Sequence, residues 1–128
     1  MADVQSLLTV KDLIKDEPVF VESESSILSV AKKIKEQKVD SVLIKDASGS
    51  IEGIVTESDI ICKVVAENES PSETKVEKIM TKKILTIDGN ESMFKARDIM
   101  LDNKVKHLIV TENEKQIGVV TSKEILGK

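Results

Sequence analysis

The sequence predicts an α/β (α+β) fold: two β-α-β-β-α repeats packed pseudo-symmetrically as one module. Three observations predict it. Gly53-Ile54-Val55-Thr56-Glu57-Ser58-Asp59-Ile60 returns as Gly118-Val119-Val120-Thr121-Ser122-Lys123-Glu124-Ile125, with glycine, two β-branched residues, threonine, two polar residues, an acid and isoleucine in the same order. Earlier landmarks recur at a constant shift of 66 residues: Val10 with Val76, Leu13 with Ile79, Ser26 with Ser92, and Val39 with Val105. Finally, within each copy the apolar spacing switches between runs suited to a strand and the i, i+3, i+4 spacing of a helix.

Each repeat opens on a short amphipathic stretch, residues 10–14 and 76–80. An apolar patch follows, Pro18-Val19-Phe20-Val21 or Ile84-Leu85-Thr86-Ile87, read as a short strand. Polar turns then lead to Ser26 and Ser92, whose hydroxyls suit helix N-caps. After Ser26, Ile27, Val30, Ala31 and Ile34 form one helical face; after Ser92, Met93, Ala96 and Met100 keep most of it, with Arg97 replacing one apolar member. The runs 39–44 and 105–110 read as buried strands, and turns at 46–50 and 112–115 return the chain to the glycine. There the shift falls to 65, a one-residue loss at a hairpin tip, where such changes are tolerated.

The junction itself is a strand running into a helix start: two β-branched residues after glycine read as strand, and threonine with an acid three residues on reads as an N-terminus. Beyond the first junction Ile60, Ile61, Val64 and Val65 are expected to form an apolar helical face, with Cys62 a small buried hydrophobe among them. The organisation is repeat one at 10–67, a linker at 68–75 and repeat two at 76–126. A repeat of about 55 residues is small for an independent core, so the two are expected to share one.

Composition narrows the function. The 128 residues are 40% hydrophobic and 33% charged, which suits a folded protein rather than a disordered one. Aromatics are 2%, so the core must be aliphatic. A net charge of −4 argues against nucleic acid or a membrane surface as partner. No apolar run approaches the roughly 18–20 residues of a membrane span, and residues 1–9 lack the basic start and apolar run of a signal peptide. Cys62 is the single cysteine, which excludes an internal disulfide and fits a reducing cytoplasm. One His and one Cys do not make a closed zinc site, nor a nucleophile–base pair, so no catalytic residue, metal or required cofactor is expected.

From about Val10 to Leu126 the chain resembles a pair of cystathionine-β-synthase (CBS) domains. The carriers are Val39-Asp40-Ser41-Val42-Leu43-Ile44, leading through a hairpin to Gly53-Ile54-Val55-Thr56-Glu57-Ser58-Asp59-Ile60, and the matching pieces of repeat two. The resemblance implies two clefts between the repeats, an adenosine-containing regulatory ligand (AMP, ADP, ATP or S-adenosylmethionine), a homodimer, and a regulator of another protein rather than an enzyme. By residue, it implies that Asp59 bonds the ribose hydroxyls and that Thr56 faces phosphate or sugar. It further implies that Asp40, Ser41, Lys106 and His107 stand where the family often carries basic groups near phosphates, and that Thr86 is on a strand lining an adenine pocket. Thr121 and Glu124 are the second-repeat counterparts of Thr56 and Asp59. Physically, a carboxylate can accept two hydrogen bonds from a vicinal diol, and unpaired N–H groups at a helix start suit an anion.

Both junctions also admit a purely structural reading. Thr56-x-x-Asp59 and Thr121-x-x-Glu124 have the spacing of a capping box, in which the acid closes back on the N–H of the cap residue. Glu124 is the usual capping-box acid and carries an extra methylene, so the box is its expected role; the resemblance turns Asp59 towards ribose. Lys106 is the better phosphate cation, His107 being mostly neutral at pH 7. Repeat one presents Asp40 and Ser41 instead, so one competent nucleotide site and one weak or empty site are expected. The alternative is a dimerising scaffold whose clefts bind nothing.

Overall fold

The computed structural model describes residues 8–14 and 17–126, the side chain of Leu126 excepted. Most of the opening segment judged for a signal peptide, residues 1–7, lies outside the described residues.

Each junction stands at the end of a three-stranded sheet. The first sheet is formed by β1 (Phe20–Glu22), β2 (Ser41–Lys45) and β3 (Ile51–Thr56) in the order β1-β2-β3. β1 and β2 are parallel, and α1 (Ile27–Gln37) makes the crossover that a parallel pair requires. β2 and β3 are an antiparallel hairpin. The chain then continues as α2 (Glu57–Ile60) and a π-helical turn, Ile61–Val65. The second sheet repeats this with β4 (Thr86–Asp88), β5 (His107–Glu112) and β6 (Lys115–Thr121), α3 (Met93–Asn103) crossing over and α4 (Ser122–Leu126) following.

Both serines cap as expected: Ser26 Oγ accepts the Ser29 N–H and Ser92 Oγ the Lys95 N–H, each at 3.1 Å. The two helices also end alike, on Lys38 and Lys104 in the left-handed conformation, φ 56° and 55°. The second hairpin is the tighter one. Asn113 and Glu114 both have positive φ, the conformation of a two-residue turn matching strand twist, whereas the first loop uses Gly49 at φ +89°.

The compact units do not follow the repeat boundaries. One unit is continuous, Val19–Ile84; the other is composite, joining the chain up to Pro18 with the chain from Leu85 onward. Each repeat's opening turn therefore packs with the other repeat's sheet. Val10, in the 3-10 turn Val10–Leu13, is fully buried in the composite core with Ile87, Ala96, Met100, Leu108, Val110 and Val120. Val76, in the turn Val76–Lys78, is fully buried in the continuous core with Ile27, Val30, Val42, Ile44 and Val55. The exchange is reciprocal to the residue: the Val10 N–H donates to Glu91 C=O (2.9 Å), and the Val76 N–H to Ser25 C=O (2.8 Å). The two acceptors are themselves 66 residues apart. The linker is also engaged, since Thr74 is buried and the Ile27 and Leu28 N–H groups donate to Thr74 and Pro71 C=O.

The helical face beyond the first junction is narrower than the sequence suggested. Val64 is buried and Ile60 half-buried, but Ile61 and Val65 are about two-thirds exposed, and Cys62 is exposed rather than buried. Only the 60–64 line of the helix meets the sheet, so residues one step round it face outward. Among the described residues no helix is long and apolar enough to cross a membrane.

Candidate functional site

The register assembles most of the predicted residues into two groups, one per sheet. Ser41 pairs with Thr56 across β2 and β3, and Asp40 sits just ahead of Ser41. Asp40 C=O accepts the Glu57 N–H at 3.0 Å, so the first helical donor is already used. In the composite unit His107 pairs with Thr121, and Lys106 C=O accepts the Ser122 N–H at 2.9 Å. Strand alternation places Ser41, Leu43, Ile54 and Thr56 on one face of the first sheet, with Val42, Ile44 and Val55 in the core behind. The second sheet does the same with His107, Ile109 and Thr121. Thr86, paired with Ile109, shares that face one step along the parallel strand and is exposed.

Both junction acids accept the N–H of their threonine, and at the first junction the capping box is reciprocal. The Thr56 N–H donates to Asp59 Oδ2 at 3.0 Å, and the Asp59 N–H donates to Thr56 Oγ1 at 3.2 Å. Asp59 Oδ1 faces the Lys63 ammonium at 3.2 Å, one turn on. In the second junction the Thr121 N–H donates to Glu124 Oε2 at 2.8 Å, and the Thr121 hydroxyl bonds the same oxygen. The idea of a helix start with unpaired donors therefore needs correcting: at the first junction the Glu57 and Asp59 N–H groups are both taken.

The two glycines act on protein rather than on open space. A Cβ on Gly53 would lie 2.8 Å from Met80 Sδ and 2.9 Å from Thr81 C=O; one on Gly118 would lie 2.7 Å from Ile14 Cγ2. In the continuous unit this closeness lets Ile54 and Thr81 exchange both backbone hydrogen bonds, 3.0 and 2.9 Å. Thr81 thus extends the β3 edge, a role the sequence did not signal because an isolated bridge has no apolar periodicity.

Two surface grooves of roughly 450 and 440 Å³ lie in the continuous unit. One is lined by Glu69, Ser70, Glu73, Thr74, Lys75, Glu77 and Lys78, the other by Glu52, Glu77, Met80 and Lys82; the predicted site residues are not among them. Among the described residues no three His, Cys, Asp or Glu side chains gather as metal ligands.

The CBS domain family model matches twice, over residues 10–66 and 76–128. The chain belongs to the CBS domain family. The two matches make it a tandem CBS pair, and its relatives agree. It is 34% identical over 117 residues to an uncharacterized protein of Methanocaldococcus jannaschii, covering 89% of this chain and 62% of that one. It is 30% identical over 112 residues to a CBS domain-containing protein of Arabidopsis thaliana, covering 88% of this chain but 21% of the plant protein. The CBS pair thus spans about a fifth to three-fifths of the length of these relatives. Among solved structures it resembles the CBS-domain containing protein ATU1752 of Agrobacterium tumefaciens, with a TM-score of 0.82, 25% identity, and 99% and 97% of the two chains covered. A protein with CBS domains from Burkholderia ambifaria gives a TM-score of 0.79 at 28% identity, with 92% and 90% covered.

Proposed function

We propose that this CBS pair is a regulatory module that binds an adenosine-containing ligand and signals its presence to a partner protein. The observation carrying this reading is the carboxylate geometry at the first junction. An ionised carboxylate offers about four lone-pair sites. At Asp59 one on each oxygen is taken, by the Thr56 N–H and by Lys63. That leaves a second site on each oxygen for the two hydroxyls of a ribose. Thr56 Oγ1 accepts from the Asp59 N–H and keeps its own proton to donate to sugar or phosphate. Lys106 and His107 supply cationic or donor groups for phosphate beside Thr121, and Thr86 lies on the same sheet face. The two groups carry different charge, Asp40 with Asp59 against Lys106 with His107, which supports one strong site and one weak one. No catalytic step is assigned to any residue. The module acts in the cytoplasm as a homodimer, and the exposed Ile61 and Val65 suit a contact between copies.

A second reading, a dimerising scaffold with empty clefts, is favoured by one observation: both acids already satisfy a cap. Thermal unfolding against AMP, ADP, ATP, S-adenosylmethionine and NAD separates the two. At about 100 times its dissociation constant a ligand adds roughly 2.7 kcal/mol, and the expected result is a raised Tm with one adenosine compound. Asp59→Ala should abolish the shift and Glu124→Ala should largely keep it. Equal losses in the two variants would sink the assignment of Asp59. No shift with any compound at millimolar concentration, the dimer remaining intact, would establish the scaffold.

A further inference from the structure

The Lys63 side chain bridges two elements. Its ammonium faces Asp59 Oδ1 at 3.2 Å and donates to Ile79 C=O at 3.0 Å. Ile79 ends the 3-10 turn Val76–Lys78, and its own side chain is buried in the continuous core. The next residues, Met80 and Thr81, lie against Gly53 and β3. A single cation thus joins the junction acid to the segment, contributed by the second repeat, that edges the first repeat's sheet.

We propose that Lys63 is a positioning residue: it fixes the Asp59 carboxylate and couples order at Asp59 to order over Ile79–Thr81. The physical argument rests on competing freedoms. Asp59 has a backbone N–H on one oxygen only, which leaves its carboxylate free to turn about that bond. A second, charged donor on the other oxygen removes that freedom, and charged hydrogen bonds are the stronger kind. Lys63 carries a flexible four-carbon stem that on its own would be mobile. Two acceptors on different elements pin it, and each acceptor is held better while the other is present. Anything that draws on the Asp59 carboxylate therefore alters the grip on Ile79, and motion at Ile79 loosens Asp59. This rests on the proposed function only in making a ribose the natural load on Asp59; the coupling itself exists without ligand.

The first experiment uses the free protein. NMR couplings should show one Asp59 χ1 rotamer in the wild type, averaging in Lys63→Met, and recovery in Lys63→Arg, which keeps a donor able to reach both oxygens. Amide exchange at Met80 and Thr81 should accelerate about three- to tenfold, the range of one net hydrogen bond, in Lys63→Met and in Asp59→Asn. The double variant should be no faster than either single one. Additive acceleration in the double variant, or an Asp59 rotamer unchanged by Lys63→Met, would overturn the proposal and leave Lys63 a cap on Ile79 alone. The second experiment uses AMP. Lys63→Met should weaken AMP binding by a similar factor, Lys63→Arg restoring it, and an unchanged affinity overturns the positioning role. If the wild type binds no adenosine compound, it is the functional reading that fails, and the free-protein cycle still decides on Lys63.

Discussion

At both junctions a threonine ends a strand, an acid three residues on accepts its N–H, and the carbonyl before the paired strand receives the first helical N–H. The surroundings then diverge. Asp59 is drawn towards Lys63 and through it to Ile79; Glu124 places one oxygen on both the N–H and the hydroxyl of Thr121. The position equivalent to Lys63 in the second repeat is Lys128, outside the described residues. The shared part is what a strand-to-helix turn needs in order to satisfy its backbone donors. A third pair makes the same point away from either junction: the Thr9 N–H donates to Asp12 Oδ2 at 2.8 Å. Threonine-x-x-acid is thus a structural device that the chain uses repeatedly, and specificity must reside in what each copy has beside it.

The comparison breaks most readily in the two cores. Val76→Ala and Val10→Ala should each cost about 2–3 kcal/mol, the loss of two buried methyls plus a cavity. Chemical-shift changes should concentrate at Val42, Ile44 and Val55 for Val76→Ala, and at Leu108, Val110 and Val120 for Val10→Ala. The reverse pattern would contradict the exchange of openings. Next come the glycines. Gly53→Ala should cost about 2–3 kcal/mol because its methyl meets a backbone carbonyl, and Gly118→Ala about 1–2 kcal/mol because it meets the Ile14 side chain; denaturant midpoints would rank them. Thr56→Ala should cost about 1 kcal/mol as a lost cap. Thr121→Ala should cost less, since its hydroxyl bonds the Glu124 carboxylate rather than a helical N–H; equal costs would contradict that difference. The smallest effect is one of pH. The Ser48 hydroxyl and the Ser50 N–H donate to the Asp46 carboxylate and hold its pKa below the usual carboxylate range. A depressed folded-state pKa means that this contribution is present at neutral pH and lost as pH falls through the acid range. Protection of the Ser48 and Ser50 amides, measured against their intrinsic exchange at each pH, should therefore fall through the acid range, while the second hairpin, turning on Asn113 and Glu114, should not follow it.

Much of this was legible in the amino acids. The repeat, both serine caps, the crossover helices and the hairpins follow from spacing alone, whereas the pairing of Ser41 with Thr56 and of His107 with Thr121 came only with the strand register, which crosses a bulge in each hairpin. The exchange of the openings was not legible. Residues 10–13 and 76–79 offer two apolar side chains each, which says that they bury something but not which of two matching sheets receives it. Exposure at Ile61, Cys62 and Val65 was hidden for a related reason: periodicity marks candidates for burial, and the width of the contacting surface decides how many are used. Lys63 escaped notice because the worth of a surface lysine depends on its acceptors, and Ile79 C=O is brought to it only by the exchange.

That exchange also bears on how such a protein can be inherited and divided. A cut in the 68–75 segment would give two fragments, each carrying a complete sequence repeat and each lacking the turn that fills its own sheet's core. Neither half is a self-sufficient object, so duplication, loss or transplantation of one repeat exacts a penalty that moving the pair does not. Two separately made halves should instead find each other and complement, each supplying the valine the other is missing. The unit of selection here is the couple.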